Sequence, residues 1–247
     1  MKKTNLPLGL LCFCLVIPFF GYSQTSEEPY YNWFDSLISI QNAGLYSGVE
    51  YIDTDRATAE AHKFFRTPKF VKGDVVFQNQ TYYDVDLKFN VYEDRLVVKL
   101  SNQSSENTLA PIKAYTSSFQ IGNNQFVLVN DAKAVESKIT GYYELLQDNS
   151  HFRLLKKHNK SRTTKFDAGR SFYEFKDSRA DYLLHNKDGY HRVNSKRELS
   201  KLFPQFKREI NAVRENKNKA DEAANGTYLR NVLQRIQSSM SKTNNAN

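Results

Sequence analysis

Cysteine is nearly missing from this chain: the 247 residues contain two, Cys12 and Cys14, both inside the apolar segment at the N-terminus. Everything beyond that segment is thiol-free, which excludes a disulfide framework, a thiolate nucleophile and a thiolate metal site there. Proline (6) and glycine (10) are scarce and scattered, so no Pro-rich or Gly-rich linker divides the sequence, and it carries no internal repeat. The one long apolar run, Leu8–Phe20, has 13 residues, short of the roughly 20 that cross a bilayer as a helix. Also missing are G-x-S-x-G, H-E-x-x-H, a P-loop and G-x-G-x-x-G. Each of those chemistries needs a local geometry that leaves a local trace, so they are set aside, whereas a catalytic cluster dispersed along the chain would leave none.

What the N-terminus does have is the pattern of a secretory signal peptide. Lys2 and Lys3 precede the apolar run, and Gly21-Tyr22-Ser23 places small residues at the last and third-last positions before a cleavage site between Ser23 and Gln24. Leu11 and Phe13 are large where a lipobox needs a small residue, so neither cysteine is read as an acylation site. The expectation is an exported chain of 224 residues, in the periplasm, the outer envelope or outside the cell, with no transmembrane span after signal cleavage. That length supports a hydrophobic core without covalent staples, and the 14 Phe and 14 Tyr of those 224 residues supply it.

Charge is divided along the chain. Residues 24–149 carry 11 Lys+Arg against 17 Asp+Glu, whereas residues 150–219 carry 19 against 8. Either the basic part meets an anionic partner, such as an anionic lipid or glycan surface, or the two parts interleave within the fold. Nucleic acid is not expected of an exported chain without a recognisable reader module.

The middle of the sequence reads as antiparallel β-structure. In Asp84–Tyr92, Val85, Leu87, Phe89 and Val91 alternate with polar residues, the period of a strand with one buried face. Leu96, Val98 and Leu100 follow across Glu93-Asp94, and Asp74–Phe77 precede it across Gln78-Asn79-Gln80. Further hairpins are predicted for Tyr115–Ile121 with Phe126–Val129, for Ile139–Leu146 with Phe152–Leu155, and for Tyr182–His185 with Tyr190–Val193, the last preceded by a separate strand at Ser171–Phe175. Upstream, Trp33, Leu37 and Ile40 share helical spacing within an N-terminal segment, 24–44. Downstream, Ser195-Lys196-Arg197-Glu198 matches a capping box. Helices follow with Leu199 and Leu202, then Phe206, Ile210 and Val213 after Pro204, then Leu229, Val232, Leu233 and Ile236 from about Asp221. The predicted fold is mainly β (α+β). An antiparallel sandwich or partly closed barrel spans 45–194, C-terminal helices over 195–237 pack on it, and 238–247 form a disordered tail.

Several of these segments together resemble a broad family of uncharacterised exported proteins of Bacteroidetes-type bacteria. They are Leu45-Tyr46-Ser47-Gly48-Val49-Glu50-Tyr51-Ile52, His62-Lys63-Phe64-Phe65, Lys72-Gly73-Asp74-Val75-Val76-Phe77, Tyr82–Leu87 and Gly141-Tyr142-Tyr143-Glu144-Leu145-Leu146. The likeness covers most of residues 45–235 through soft strand-and-turn patterns, and departs from them at Ser47, Asn79 and Asn90. It implies export and a continuous fold, and no activity.

The candidate binding residues are the cations Arg153, Lys156, Lys157, Lys160, Arg162 and Lys165, read as a flexible loop suited to a diffuse anionic surface. His62, beside Phe64-Phe65, is the one histidine singled out for a role, while His151 and His158 are expected to face solvent. His185 and His191 flank a four-residue turn and are expected on opposite faces of their hairpin, which argues against a shared metal. Asp84 and Asp86 lie on one strand face, and Asp53-Thr54-Asp55 opens like a calcium loop without the glycine and glutamate such loops need. No catalytic residue, metal or cofactor is assigned. The leading functional reading is a non-catalytic envelope protein that binds a protein partner or an anionic surface. The alternatives are a carrier enclosing a small apolar ligand and, third, a hydrolase without a recognisable motif.

Overall fold

The computed structural model describes residues 44–102, 105–167, 169–213 and 222–244. The signal peptide read at Met1–Ser23, both cysteines and the helix expected around Trp33–Ile40 lie outside the described residues.

One antiparallel sheet of 11 strands forms the body of the protein. Its strands are β1 (Val49–Glu50), β2 (Val71–Phe77), β3 (Gln80–Asn90), β4 (Arg95–Asn102), β5 (Ser105–Ala110), β6 (Thr116–Ile121), β7 (Asn124–Val129), β8 (Gly141–Asp148), β9 (Arg153–Asp167), β10 (Arg170–Asn186) and β11 (Gly189–Arg192). They lie in the order β1-β5-β4-β3-β2-β6-β7-β8-β9-β10-β11. Two meanders, β2–β5 and β6–β11, therefore join side by side through β2 and β6. The sheet is open and is not a sandwich of two sheets. Residues 51–61 lie across its opening: Tyr51 N–H donates to the Thr108 carbonyl of β5 (2.8 Å), while the Arg56 and Ala61 carbonyls accept from Tyr173 and Phe175 of β10 (2.7 and 2.9 Å).

Period-two alternation places two cores on one face of the sheet, called the inner face below. Val75, Phe77, Leu87, Phe89, Phe119 and Phe126 from β2, β3, β6 and β7 build the first, and Tyr142 of β8 completes it. Leu154, Tyr182 and Leu184 of β9 and β10 build the second, under the C-terminal helices. Those helices are α2 (Lys196–Leu202), α3 (Lys207–Ala212) and α4 (Glu222–Asn244), with a 3-10 turn at Pro204–Phe206. The Ser195 hydroxyl oxygen accepts from Glu198 N–H, the N-cap half of the capping box, and the Glu198 carboxylate accepts from the Ser195 hydroxyl. Leu229, Val232, Leu233 and Ile236 of α4 are fully buried against the sheet. On the opposite face, the short helix α1 (Ala132–Glu136), capped by Asp131, covers Val129, Tyr143, Leu155 and Leu183.

The structure differs from the sequence expectation in four cases. Helix α4 continues to Asn244 through the stretch read as a disordered tail. There Ser238 and Ser241 donate back to Gln234 and Gln237 carbonyls, and Met240 packs on the second core. Ser171–Phe175 and Tyr182–His185 belong to the single strand β10, which absorbs the polar residues between them at an irregularity near Ser178–Asp181. Strand β5 and helix α1 were not predicted, because Ser105–Ala110 has little apolar alternation and α1 is five residues long. Strand β9 is the fourth case and bears on the functional site.

Candidate functional site

Strands β8 and β9 pair from Asp148↔Arg153 as far as Glu144↔Lys156 and then part. Beyond that point β8 continues beside β7 to Gly141, while β9 runs on with β10 alone to Asp167. The turn 91–94 between β3 and β4 enters the gap. The Asp94 carboxylate there accepts the Tyr142 N–H (3.2 Å), which β9 no longer engages, and meets Lys157 (2.7 Å) and Lys113 (2.6 Å). Gly141 makes room for it. Its φ is +127°, and a Cβ at that position would lie 2.1 Å from Asp94 Oδ2 and 2.5 Å from Lys157 Nζ. Burial pushes the Lys157 amine below its ordinary value, with the adjoining Asp94 charge acting against it.

On the inner face at the same gap, polar side chains occupy positions where alternation would place apolar ones. Tyr142 belongs to the first core and Leu146 packs on the second; between them on the same face of β8 is Glu144. On β9 the corresponding face carries Leu154, then Lys156 and His158. His158 Nε2 lies 2.6 Å from Glu144 Oε2, and Asn124 Nδ2 donates to Glu144 Oε1. The pair is largely enclosed, with the Glu144 and His158 side chains 11% and 18% exposed. Phe65 and Phe126 set their rings against the imidazole, at centroid distances of 4.9 and 5.9 Å. Burial alone would raise the Glu144 carboxyl; the hydrogen bonds from His158 and Asn124 and the Lys156 charge outweigh it and hold the group below its usual value.

This pair lines a cleft of about 390 Å³ at the seam between the two cores. The sheet contributes Glu144, Leu146, Lys156, His158 and Lys160; residues 65–66 contribute Phe65 and Arg66; α4 contributes Gly226, Thr227 and Arg230. At Gly226 the helix comes so close that an added Cβ would lie 3.3 Å from the Tyr182 hydroxyl. Arg66 and Arg230 make no ion pair with a carboxylate among the described residues, and the Arg66 guanidinium lies 5.1 Å from the Phe65 ring centroid. A notch between α3 and α4, around Arg208, Glu209 and Arg235, is a second concavity. It has no sheet residue in its lining, and the chain joining the two helices, 214–221, lies outside the described residues.

One buried lysine fixes the wall that carries Arg66. Lys63 is 3% exposed and meets three carboxylates, Asp55 at 2.7 Å, Asp53 at 2.9 Å and Glu93 at 3.2 Å. Burial would lower its amine, but the hydrogen bonds to Asp53 and Asp55 reverse the direction and hold it well above the ordinary lysine value. Asp55 also faces Arg162 of β9 at 3.6 Å. The knot ties the segment leading to Arg66 to the β3–β4 turn and to β9. The Phe64–Asn90 bridge and the Phe65 N–H donated to the Phe89 carbonyl (2.8 Å) continue the attachment along β3. Arg66 itself has φ +55°, in the left-handed region that a non-glycine residue seldom occupies.

The six cations singled out from the sequence are not on a loop. They belong to β9, a 15-residue strand. Lys156–Lys165 has no apolar alternation to mark a strand, and its pairing with β10 is supported instead by polar contacts between the two strands. These are Lys160–Asp177 (3.2 Å), Lys165–Glu174 (3.9 Å) and Arg162 over the Tyr173 ring (4.6 Å). Alternation then separates the six side chains onto two faces. Arg153 pairs with Asp148 (3.2 Å), and Lys157 turns to Asp94. Of the six, Lys156 and Lys160 line the cleft. His158, expected to face solvent, is the imidazole paired with Glu144.

His62 has a local role: its Nδ1 accepts the Phe64 N–H (3.1 Å), and burial together with Lys160 keeps the imidazole below its ordinary value. His185 and His191 stand opposite Tyr190 and Leu184, the register expected from the turn, and so lie on opposite faces. Lys72 lies between Asp84 (3.7 Å) and Asp86 (3.5 Å). Asp53 and Asp55 hold Lys63. No group of three or more His, Cys, Asp or Glu side chains is arranged to hold a metal ion among the described residues, and no helix among them is long and apolar enough to cross a membrane.

Glu144, Asn124, Lys63, Arg66 and Arg230 were not singled out from the sequence. Glu144 left a signal, being an acid on the face of β8 that otherwise alternates Tyr142 and Leu146. Arg66 and Arg230 left none, since only the folded chain brings them to one cleft.

No family model, no curated protein and no solved structure matches this chain.

Proposed function

We propose that this chain is an exported protein of the cell envelope that binds rather than catalyses, and that its ligand site is the cleft between the inner face of the sheet and α4. Export is read from Lys2, Lys3, the Leu8–Phe20 run and Gly21-Tyr22-Ser23. The observation carrying the binding reading is the convergence on one cleft of charged side chains from three separate parts of the chain: β8–β10, residues 65–66 and α4.

Two features favour binding over hydrolysis. Both Glu144 oxygens are already engaged, one by His158 and one by Asn124, which leaves the carboxylate poorly disposed to activate a water. Cations also outnumber carboxylates in the lining, with Arg66, Lys156, Lys160 and Arg230 against Glu144 and Asp177. An enclosed apolar carrier has less support, because the aromatic side chains of the inner face are packed against one another. Phe119 and Phe126 stack at 4.8 Å, and Phe89 meets both at 5.1 to 5.3 Å.

The test is to express the full chain with its own leader, recover it from the envelope fraction and weigh it by native mass spectrometry. The expected species begins at Gln24 and carries a discrete added mass that Arg66→Glu and Arg230→Glu remove. Retention of the leader in a cytoplasmic product would contradict export. A bare chain from the envelope, identical in mass balance to the two variants, would contradict ligand binding at this cleft.

A further inference from the structure

We infer that the cleft takes a small anionic amphiphile, with one phosphate or carboxylate group gripped between Arg66 and Arg230 and an apolar body resting on Phe65, Val91 and Leu146. The inference rests on the binding reading above and adds the chemistry of the ligand.

The two guanidinium groups carry the first half. They come from different parts of the chain, one from the segment after Phe65 and one from α4, and both line the cleft. Most of the charged neighbours are committed: Lys160 to Asp177, Lys157 to Asp94, and Lys63 to its three carboxylates. Arg66 and Arg230 have no such commitment among the described residues. A guanidinium presents a planar fork of donors that matches the two oxygens of a carboxylate or phosphate, and two forks lining one cleft suit one such group.

An independent observation concerns the backbone of Arg66. Its φ of +55° is costly for a residue with a Cβ. It is maintained by anchors on the N-terminal side, where Lys63 is tied into its knot and Phe64 and Phe65 bond along β3. Strain held in place by over-determined surroundings clusters where a side chain has to be presented in one direction. Here the side chain presented is a guanidinium at the cleft that has no carboxylate partner among the described residues.

The lining and the size carry the second half. Phe65, Val91 and Leu146 give the cleft an apolar portion beside its cations. Val91 belongs to the first core, and Leu146 packs on the second. A volume of about 390 Å³ lies at the lower end of small-molecule sites, commonly ~300–1,000 Å³. That suits a single short chain or compact ring with one head group and is cramped for a two-chain lipid. Neither a free inorganic anion nor a neutral amphiphile uses both parts of the lining.

Isothermal titration of the envelope-derived full-length product separates the possibilities, with octyl phosphate, octanoate, octyl glucoside and inorganic phosphate as probes. The expected result is that octyl phosphate or octanoate binds at least ten-fold more tightly than octyl glucoside and than inorganic phosphate. Arg66→Glu and Arg230→Glu should each weaken the anionic probe at least ten-fold, with circular dichroism unchanged. Because charge reversal could disturb the fold, Arg66→Lys and Arg230→Lys are included, and each should retain part of the affinity. Preference for octyl phosphate over octanoate would identify a phosphate head, and the reverse a carboxylate head. Octyl glucoside binding as tightly as the anions would overturn the anionic part, and inorganic phosphate binding as tightly as octyl phosphate would overturn the amphiphile. In either case the cleft would remain a binding site. If no probe binds and the native mass is bare, this inference and the binding reading fall together.

Discussion

His158 Nε2 lies 2.6 Å from Glu144 Oε2 across two strands that have just stopped pairing. The contact replaces the next rung of the sheet with a charge-assisted hydrogen bond between side chains. It also fixes the floor of the cleft at the seam between the two cores.

Replacing Glu144 should therefore cost stability in a pH-dependent way. Its carboxyl is held below the usual value in the folded chain, because hydrogen bonds from His158 and Asn124 outweigh burial. Such a group stabilises the fold fully above its unfolded pKa, and the contribution is lost as pH falls through the depressed folded value. Glu144→Gln is expected to lose about 2 kcal/mol at pH 7, and its deficit against the native chain should shrink as pH drops below the ordinary carboxylate range. Urea unfolding at pH 7 and pH 3.5 measures this. A deficit that stays constant between the two would contradict the role given to the ionised Glu144 carboxylate.

Lys63 supports a second prediction. Lys63→Met would leave Asp53, Asp55 and Glu93 facing one another without their central cation. Removing one member of a buried ionic cluster costs about 3 kcal/mol or more, and the same change should loosen the segment bearing Arg66. Equilibrium unfolding reads the first effect. Faster amide hydrogen exchange at Phe64 and Phe65 than in the native chain reads the second.

Gly141 is tied to Asp94 by space. Gly141→Ala brings a Cβ against the carboxylate and demands a positive φ of an L-residue, and should cost about 2 kcal/mol or more. Pairing it with Asp94→Ala removes the clash with the carboxylate and leaves the backbone cost and the flexible Lys157 amine, which must shift. The double variant should therefore lose less than the two single losses combined, by about 1 kcal/mol in a thermodynamic cycle. Strict additivity would mean that the two residues do not meet.

Phe126 and Phe166 are the same residue type in opposite settings. Phe126 is fully buried in the first core, and Phe166 is 80% exposed near the end of β9. Phe126→Ala should cost about 3–5 kcal/mol, whereas Phe166→Ser should stay within about 0.5 kcal/mol of the native chain. Thermal unfolding of the two variants compares them directly. A large loss at Phe166 would mean that the end of the β9–β10 ribbon is packed.

The fold was legible wherever burial on one face enforces alternation. Val85, Leu87 and Phe89 on β3, and Phe119 with Ile121 on β6, announce strands, and Ser195 with Glu198 announces the start of α2. The His185↔Tyr190 register follows from the turn length alone. Legibility failed where a strand is held by polar partners. Residues 156–165 read as a basic loop because the ion pairs to Asp177 and Glu174 that support the ribbon come from a partner strand, 17 and 9 residues on from Lys160 and Lys165. It failed again at the cleft, whose parts are drawn from residues 65–66, 91, 144–160, 177 and 226–230. No local pattern connects these segments, so Arg66 and Arg230 were ordinary surface cations until the chain was folded. Glu144 was the exception, visible as an acid interrupting an apolar face.

The proposed ligand sits between the seam of the two cores and α4. The most direct measurement is a titration of the ¹⁵N-labelled protein with octyl phosphate, followed by amide and histidine-ring chemical shifts. The account predicts the largest shifts at Arg66, Glu144, His158 and Gly226, with Arg208 and Arg235 in the α3–α4 notch unmoved. Shifts concentrated in that notch, or on the Lys165 end of the ribbon, would place binding elsewhere and contradict it.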